Sequence, residues 1–257
     1  MRGEQAIFDA NARVDGLSPM ELDNLAFFGV QALVSPVHDG FPGTNAGNIE
    51  AYWNYLVDEV VPRVRGAGIS GYIAVGIPPR KIPWQGLERL LTRMPNWLGL
   101  PEVVAVGGVG LHDGTEWEED VLLRQAVLAR DLRVPLIVTM PSRGGGPLLR
   151  RKLALMRKCE MPEGMVLFTG VTCPDASAVR SCGYRVAMGA MSARDASLMV
   201  ARFGPEGLLL SSDLGHERPD PIVPARMVAA MEAEGLSRGV IRRVVFENAA
   251  SFFGKSI

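Results

Sequence analysis

A single (β/α)₈ barrel is the fold this sequence predicts, and three observations carry the prediction. Eight short, β-rich apolar runs alternate with longer helical patterns along the whole chain. Most of those runs are continuously apolar rather than alternating, as parallel strands covered on both faces require. The length, 257 residues, is that of eight βα units closed into a barrel. No Pro/Gly/Ser linker interrupts the pattern, so residues 1–257 are read as one domain. An open, doubly wound sheet usually carries G-x-G-x-x-G after its first strand. Here the corresponding turn is Asn11-Ala12-Arg13, which has no glycine.

The first strand is expected at 5–9 (QAIFD), and Ser18-Pro19-Met20-Glu21 opens a helix with a cap, a first-turn proline and a box glutamate. The second strand, 30–35 (VQALVS), leads to His38 and a turn-rich stretch from Gly40 to Gly47, expected to cover the mouth and bring Phe41 over it. Tyr52, Trp53 and Tyr55 follow at helical spacing, which indicates packing, and Trp84, Trp97 and Trp117 are read the same way. The third strand, 71–77 (GYIAVGI), ends in Pro78-Pro79-Arg80-Lys81, and the fourth, 102–107 (EVVAVG), runs into Gly108 to Asp113. Residues 115–131 read as a helix whose Thr115 and early acids complement the helix dipole.

The fifth strand, 134–139 (VPLIVT), precedes Arg143-Gly144-Gly145-Gly146-Pro147, a flexible loop or lid whose backbone could also cradle an anion. The sixth, 164–169 (GMVLFT), is followed by Cys173, read as a half-buried thiol, and by a helix from Pro174-Asp175. The seventh, 184–189 (YRVAMG), leads to a helix at Ser192-Ala193-Arg194-Asp195, and the eighth is 207–212 (GLLLSS). Helical patterns at 222–234 and 237–247, the latter capped by Ser237, complete the chain.

Composition excludes several classes of partner. The sequence is 47% hydrophobic and 21% charged with a net charge of −1, which gives no general pull toward nucleic acid or anionic membrane. Basic and aromatic residues do not interleave as a nucleic-acid platform would need. Cys159, Cys173 and Cys182 form no C-x-x-C pair, so a reduced, cytoplasmic setting is expected. The N-terminal residues lack a signal-peptide run, and no stretch approaches the roughly 18 apolar residues of a membrane span. A small-molecule substrate is the expected partner.

In such barrels functional side chains lie at the C-terminal strand ends. Those ends offer Asp9, Asn11, Arg13, His38, Asp39, His112, Thr139, Arg143, Thr169, Ser211, Ser212, Asp213 and His216. The run VVAVGGVGLHDGTEWEEDVLLRQAVLARDLRVPLIVTMP at 103–141 resembles the middle of TatD-family metal-dependent hydrolases, which read G-E-I-G-L-D, F-x-x-Q-L-x-L-A and P-V-I-V-H. Ser212-Asp213, Pro224, Gly235-Leu236-Ser237 and Glu247-Asn248-Ala249 through Gly254 are similar to that family's ending, and Phe8-Asp9-Ala10 to its opening. The resemblance covers nearly the whole chain in order. It implies an amidohydrolase-like barrel with two divalent metals held by H-x-H after the first strand, a glutamate, two further histidines and an aspartate.

Carried over one by one, the paired histidines fall on Asn11 and Arg13, the glutamate on Gly108 and the fifth-strand histidine on Thr139. The sixth-strand histidine falls on Thr169 or Gly170, and the aspartate alone survives, as Asp213. Amide and hydroxyl oxygens replace imidazoles poorly, glycine offers no donor, and arginine repels a dication. No cofactor is therefore expected. Three readings follow. Arg13 could stand where the metals lay and clamp a carboxylate or phosphate, with Asp213 as acid or base and Asn11 and Thr139 orienting the substrate. Arg143, His112, His38 and His216 are further candidates for substrate contact. In the second reading a relocated metal is held by His38, His112, His216 and Asp213. In the third the barrel is a pseudoenzyme kept for binding or as a scaffold. Arg13 and Asp213 pairing simply to seal the mouth is the structural alternative to the first reading.

Overall fold

In a computed structural model the chain is described over residues 5–141, 145–189, 193–214 and 220–255. Eight parallel strands lie in sequential order: β1 Ile7–Asp9, β2 Val30–Pro36, β3 Ser70–Val75, β4 Val103–Gly110, β5 Leu136–Thr139, β6 Val166–Thr169, β7 Arg185–Met188 and β8 Leu208–Leu210. The last strand meets the first. Ala10 N donates to Leu210 O at 3.0 Å, Arg13 N to Leu214 O at 2.9 Å and Asp213 N to Asn11 O at 3.2 Å. The expected (β/α)₈ barrel is the observed fold.

Helices cover the outside: α1 Pro19–Phe27, α2 Ala46–Tyr55, α3 Val61–Gly66, α4 Leu87–Leu98, α5 Glu116–Leu132, α6 Gly145–Lys158, α7 Cys173–Arg180, α8 Ala193–Phe203, α9 Val223–Ala233, α10 Arg238–Arg242 and α11 Asn248–Phe253. Three helix starts legible in the sequence have the expected chemistry, among them Ser237, whose hydroxyl accepts from Val240 N at α10. Ser18 and Glu21 make a reciprocal capping box at α1, and the Thr115 hydroxyl accepts from Glu118 N at α5. Elsewhere the structure departs from the sequence reading. Gly145, Gly146 and Pro147 form the first turn of α6 rather than a loop, and proline costs nothing where the backbone N–H has no helical acceptor. The helix expected to stop at 247 continues through a π-turn, Arg243–Glu247, into α11. β4 runs three residues past its expected end at 107, because a register shift between Val106 and Val109 absorbs the glycine pair as a bulge.

Two packed layers result from the alternation of side chains along each strand. Phe8, Ala74, Ile137, Leu167, Ala187 and Leu209 fill the barrel, while Leu136, Val138, Val166, Phe168 and Val186 face the helices. The N-terminal end of the barrel is plugged by α11, whose Phe253 packs on Phe8 with ring centroids 5.7 Å apart. Asn248 fastens that plug, donating to Pro205 O at 2.7 Å and Leu208 O at 2.8 Å. This leaves the opposite end, where the strands finish, as the open face.

The aromatic side chains divide unexpectedly. Trp53 and Trp97 are buried and meet edge to face at 5.1 Å, as packing predicts. Trp84 is 89% exposed and Trp117 38%, so neither packs in the core. Phe41 is buried in a stack on Tyr52 at 4.5 Å instead of lying over the mouth. Lys81 draws it there by donating to Phe41 O at 2.6 Å. No described helix is long and apolar enough to cross a membrane.

Candidate functional site

The junction of β8 with β1 is built around two aspartates. Asp9, fully buried, accepts at one oxygen from Asn11 N (3.1 Å) and Ser212 N (3.0 Å), stitching the two strand ends together. Its other oxygen receives no hydrogen bond from a described residue. Burial, helped slightly by the charge of Asp213, pushes the Asp9 carboxyl from 3.8 up to about 6 against the pull of its hydrogen bonds. Folding is therefore favoured by the protonated form, and that stability is lost as pH rises from about 4 to about 6. The loss is on the order of 3 kcal/mol at about 1.4 kcal/mol per pH unit of difference. Asp9→Asn is expected to flatten this decline in urea denaturation between pH 4 and pH 7; an unchanged slope would show that Asp9 is not its source.

Asp213 has a left-handed backbone (φ +50) that turns its carboxylate back over the strand ends. Oδ1 accepts from Asn11 Nδ2 at 2.5 Å and from Ser211 Oγ at 2.8 Å. Oδ2 receives no hydrogen bond from a described residue and lies over Gly189, where a Cβ would come within 2.1 Å of it. With Gly170, Thr172, Cys173, Gly189 and Asp195, Asp213 lines a hollow of about 400 Å³.

A larger cleft, about 760 Å³, opens beside it, lined by Arg13, His38, Arg80, Gly108, His112 and Thr139 among others. Its walls are held from behind. Buried Gln125 on α5 brackets Ile77, accepting from its N–H at 2.7 Å and donating to its carbonyl at 3.2 Å, which fixes the Pro78–Arg80 wall. Buried Glu118 accepts from the backbone N–H groups of His112, Asp113 and Gly114, the last at 2.7 Å. Thr139 and Thr169 are register partners with hydroxyls 3.4 Å apart, so Thr169, not Gly170, is the β6 counterpart of Thr139. Gly108 sits at φ +71, and a Cβ there would be 1.8 Å from the Val37 carbonyl oxygen.

On the β1–β2 side, Asp15, His38 and Tyr52 share one hydrogen-bonded cluster. His38 Nε2 lies 3.0 Å from both Asp15 oxygens and 2.8 Å from the Tyr52 hydroxyl, which donates to Asp15 Oδ2 at 3.0 Å. His38 Nδ1 accepts from Gly40 N at 2.9 Å. Burial works to raise Asp15, but the hydrogen bond and charge of His38 and the Tyr52 hydroxyl hold its carboxyl below the ordinary value. Burial and the adjacent Asp15 charge push the Tyr52 hydroxyl far up, while the Arg13 charge opposes them. Both His38 nitrogens are thus turned to protein groups, and the ring clasps the loop that carries Phe41.

Lys152 on α6 is fully buried behind the end of β5, donating to Thr139 O at 2.7 Å and lying 3.5 Å from Met140 Sδ. Burial lowers its amine from 10.5 to about 7, with the Glu118 charge pulling the other way. Between those values the unfolded chain holds a proton that the folded chain does not, so stability rises with pH from about 7 to about 10.5 and is lost on the way down. Lys152→Met should raise stability near pH 7 by about 1–2 kcal/mol and remove that rise. Thermal melts at pH 7 and 9 check it, and a variant less stable than wild type at pH 7 would contradict it.

The structure thus brings Asn11 against Asp213, and sets Arg13, Thr139, His112 and His38 around one cleft. Asp213 faces the neighbouring hollow. Arg143, His216 and Ser192 lie outside the described residues. Asp15, Tyr52, Glu118, Gln125, Ser211 and Lys152 are functional-site neighbours whose roles sequence reasoning did not assign. Asp15 had a signal, since it continues the alternation Asp9, Asn11, Arg13 by one more step.

No protein-family model matches the chain. An uncharacterized metal-dependent hydrolase of Methanocaldococcus jannaschii is 25% identical over 250 residues, which is 96% of this chain and 99% of that protein. A TatD-like protein from Archaeoglobus fulgidus superposes with a TM-score of 0.80 at 26% identity, covering 96% of this chain and 99% of the other. The phosphotriesterase homology protein of Escherichia coli, solved with phosphate in its active site, shares the fold at TM-score 0.73 and 15% identity, with 97% and 99% covered. The sequential eight-stranded barrel is the fold that this chain shares with these structures. Over nearly its whole length the chain is TatD-like, similar to the Archaeoglobus fulgidus protein.

Proposed function

We propose that this TatD-like barrel is a hydrolase that works without the usual two-metal site, on a small polar or anionic metabolite bound at the barrel mouth. The metal pair implied by the likeness does not fit the residues present. Asn11, Arg13, Gly108, Thr139 and Thr169 occupy the matching strand ends, and only Asp213 offers a carboxylate. Among the described residues no three His, Cys, Asp or Glu side chains gather as metal donors. The Arg13 guanidinium anchors a substrate carboxylate or phosphate through paired hydrogen bonds. Thr139 and Asn11 orient the scissile group. Asp213 accepts a proton from the attacking water and returns it to the leaving group.

The observation that carries this reading is the asymmetry of Asp213: Oδ1 is held by Asn11 and Ser211, while Oδ2 lies over Gly189 facing a hollow. That is how a positioned base is presented. A screen of phosphate and carboxylate esters, with elemental analysis of protein purified without chelator, tests it. Turnover insensitive to chelator is expected. Stoichiometric metal beside Asp213 would overturn the metal-free chemistry. A non-catalytic binding barrel is the second reading, favoured by Gly108, where the backbone of Val37 fills the space a ligand-bearing side chain would use. It is distinguished by ligand binding with no turnover of any ester.

A further inference from the structure

Trp84 and Trp117 are the feature of this molecule that neither the core nor the cleft accounts for. Trp84 is 89% exposed and Trp117 38%, yet the two rings are parallel to within 6°, with centroids 6.3 Å apart. An exposed indole pair leaves apolar surface in water that a core position would bury. Its place is specific. Trp84 lies just beyond the short 3₁₀ turn Pro79–Lys81, whose Pro79 and Arg80 line the cleft. Trp117 is in the first turn of α5, close in sequence to His112 on the same cleft wall. The 3₁₀ turn packs against α5, so the loops after β3 and β4 carry the wall and the tryptophan pair together.

Size decides what kind of partner the pair fits. Two indoles present at most ~500 Å² between them, whereas a stable protein interface needs ~800 Å² on each side. Among the described residues the other exposed large apolar side chains belong to other segments: Met20 and Phe27 are on α1, Tyr55 ends α2, Leu100 follows α4, Leu132 ends α5, Leu198 is on α8 and Ile222 precedes α9. Two flat, parallel rings offer a face that another planar ring matches by offset stacking. The cleft supplies the Arg13 guanidinium, suited to an anion, while Arg80 on the adjoining wall pairs with Asp39 at 3.3 Å.

We propose that Trp84 and Trp117 form a stacking platform for a planar aromatic ring of the ligand, whose anionic end lies in the cleft. The substrate class is then an anion that bears an aromatic ring; this rests on the reading of the mouth as an anion-binding site. The platform supplies affinity and selectivity, and takes no part in bond breaking.

Calorimetric titration of the full chain with 1-naphthyl phosphate and with methyl phosphate separates the two ideas. Naphthyl phosphate should bind at least tenfold more tightly. Trp84→Ala and Trp117→Ala should each weaken it about tenfold and leave methyl phosphate unchanged, with Trp84→Tyr retaining most of the affinity. Arg13→Ala should weaken both phosphates. Equal affinity for the two phosphates, or naphthyl binding untouched by Trp84→Ala, overturns the platform even if Arg13 matters. A Trp84 effect without an Arg13 effect overturns the anion anchor instead, and binding of neither phosphate overturns both. A fall in solution mass on Trp84→Ala, measured by light scattering, would assign the pair to self-association and overturn the proposal. Because Trp84 is so exposed, its removal leaves the fold intact to report these outcomes.

Discussion

Asp213→Asn is expected to lower turnover about a thousandfold while leaving the melting temperature within a few degrees of wild type. Asparagine is the informative replacement because residue 213 has φ +50, a conformation that asparagine tolerates and alanine adopts at a cost. The amide oxygen can still accept from Asn11 and Ser211, so the side chain keeps its place. What changes is the atom over Gly189: an amide nitrogen there has no basic lone pair for the proton of an attacking water. A loss of kcat with little change in KM would mark Asp213 as acting in the transition state. Full turnover in the asparagine variant would remove it from the mechanism. Activity measured on any ester found by the screen suffices.

Gly108→Glu, which introduces the glutamate that the likeness to TatD-family hydrolases implies there, is expected to destabilise the protein by about 4 kcal/mol or more. Two costs add. A side chain at φ +71 is strained in any surroundings, and its Cβ would stand 1.8 Å from the Val37 carbonyl oxygen. The obstacle is backbone, from the segment just after β2, so no rotamer change relieves it. Gly108→Ala should therefore show much of the same loss, which separates the clash at Cβ from the burial of a carboxylate. Chemical denaturation of both variants, with and without divalent metal, measures the effect. A Gly108→Glu variant as stable as wild type that takes up metal would show that the strand end has room for a ligating side chain. On our reading it has none, because the Val37 backbone occupies that space.

How far the site could be seen from sequence depends on the range of each interaction. Asn11, Arg13 and Asp213 were legible because a strand followed by polar residues places them at a strand end, whatever surrounds them. Thr169 was ambiguous with Gly170 until strand pairing aligned it with Thr139. Asp15 was visible in the alternation after β1, yet its importance comes from His38 and Tyr52, which are 23 and 37 residues away. Lys152 carries no signal at all: a lysine on a helix is normally solvated, and only the packing of α6 against β5 shows that this one is not. The tryptophans failed in the opposite direction, since helical spacing reports which residues share a face and not whether that face is covered.

The sequence by itself determined the barrel. Continuous apolar runs can be buried on both sides only in a parallel sheet wrapped by helices, and the capping residues Ser18 and Thr115 mark where two of those helices begin. Both effects are local, acting within a strand or a single helical turn, so they can be read along the chain. The tertiary structure decided the rest: which oxygen of Asp213 is held and which is presented, that Gly108 has no room for a side chain, that Lys152 is dry, and that Trp84 and Trp117 are not. Each of these depends on atoms brought from distant segments into contact, where desolvation and steric exclusion act over a few ångströms of space and are not encoded in spacing along the chain.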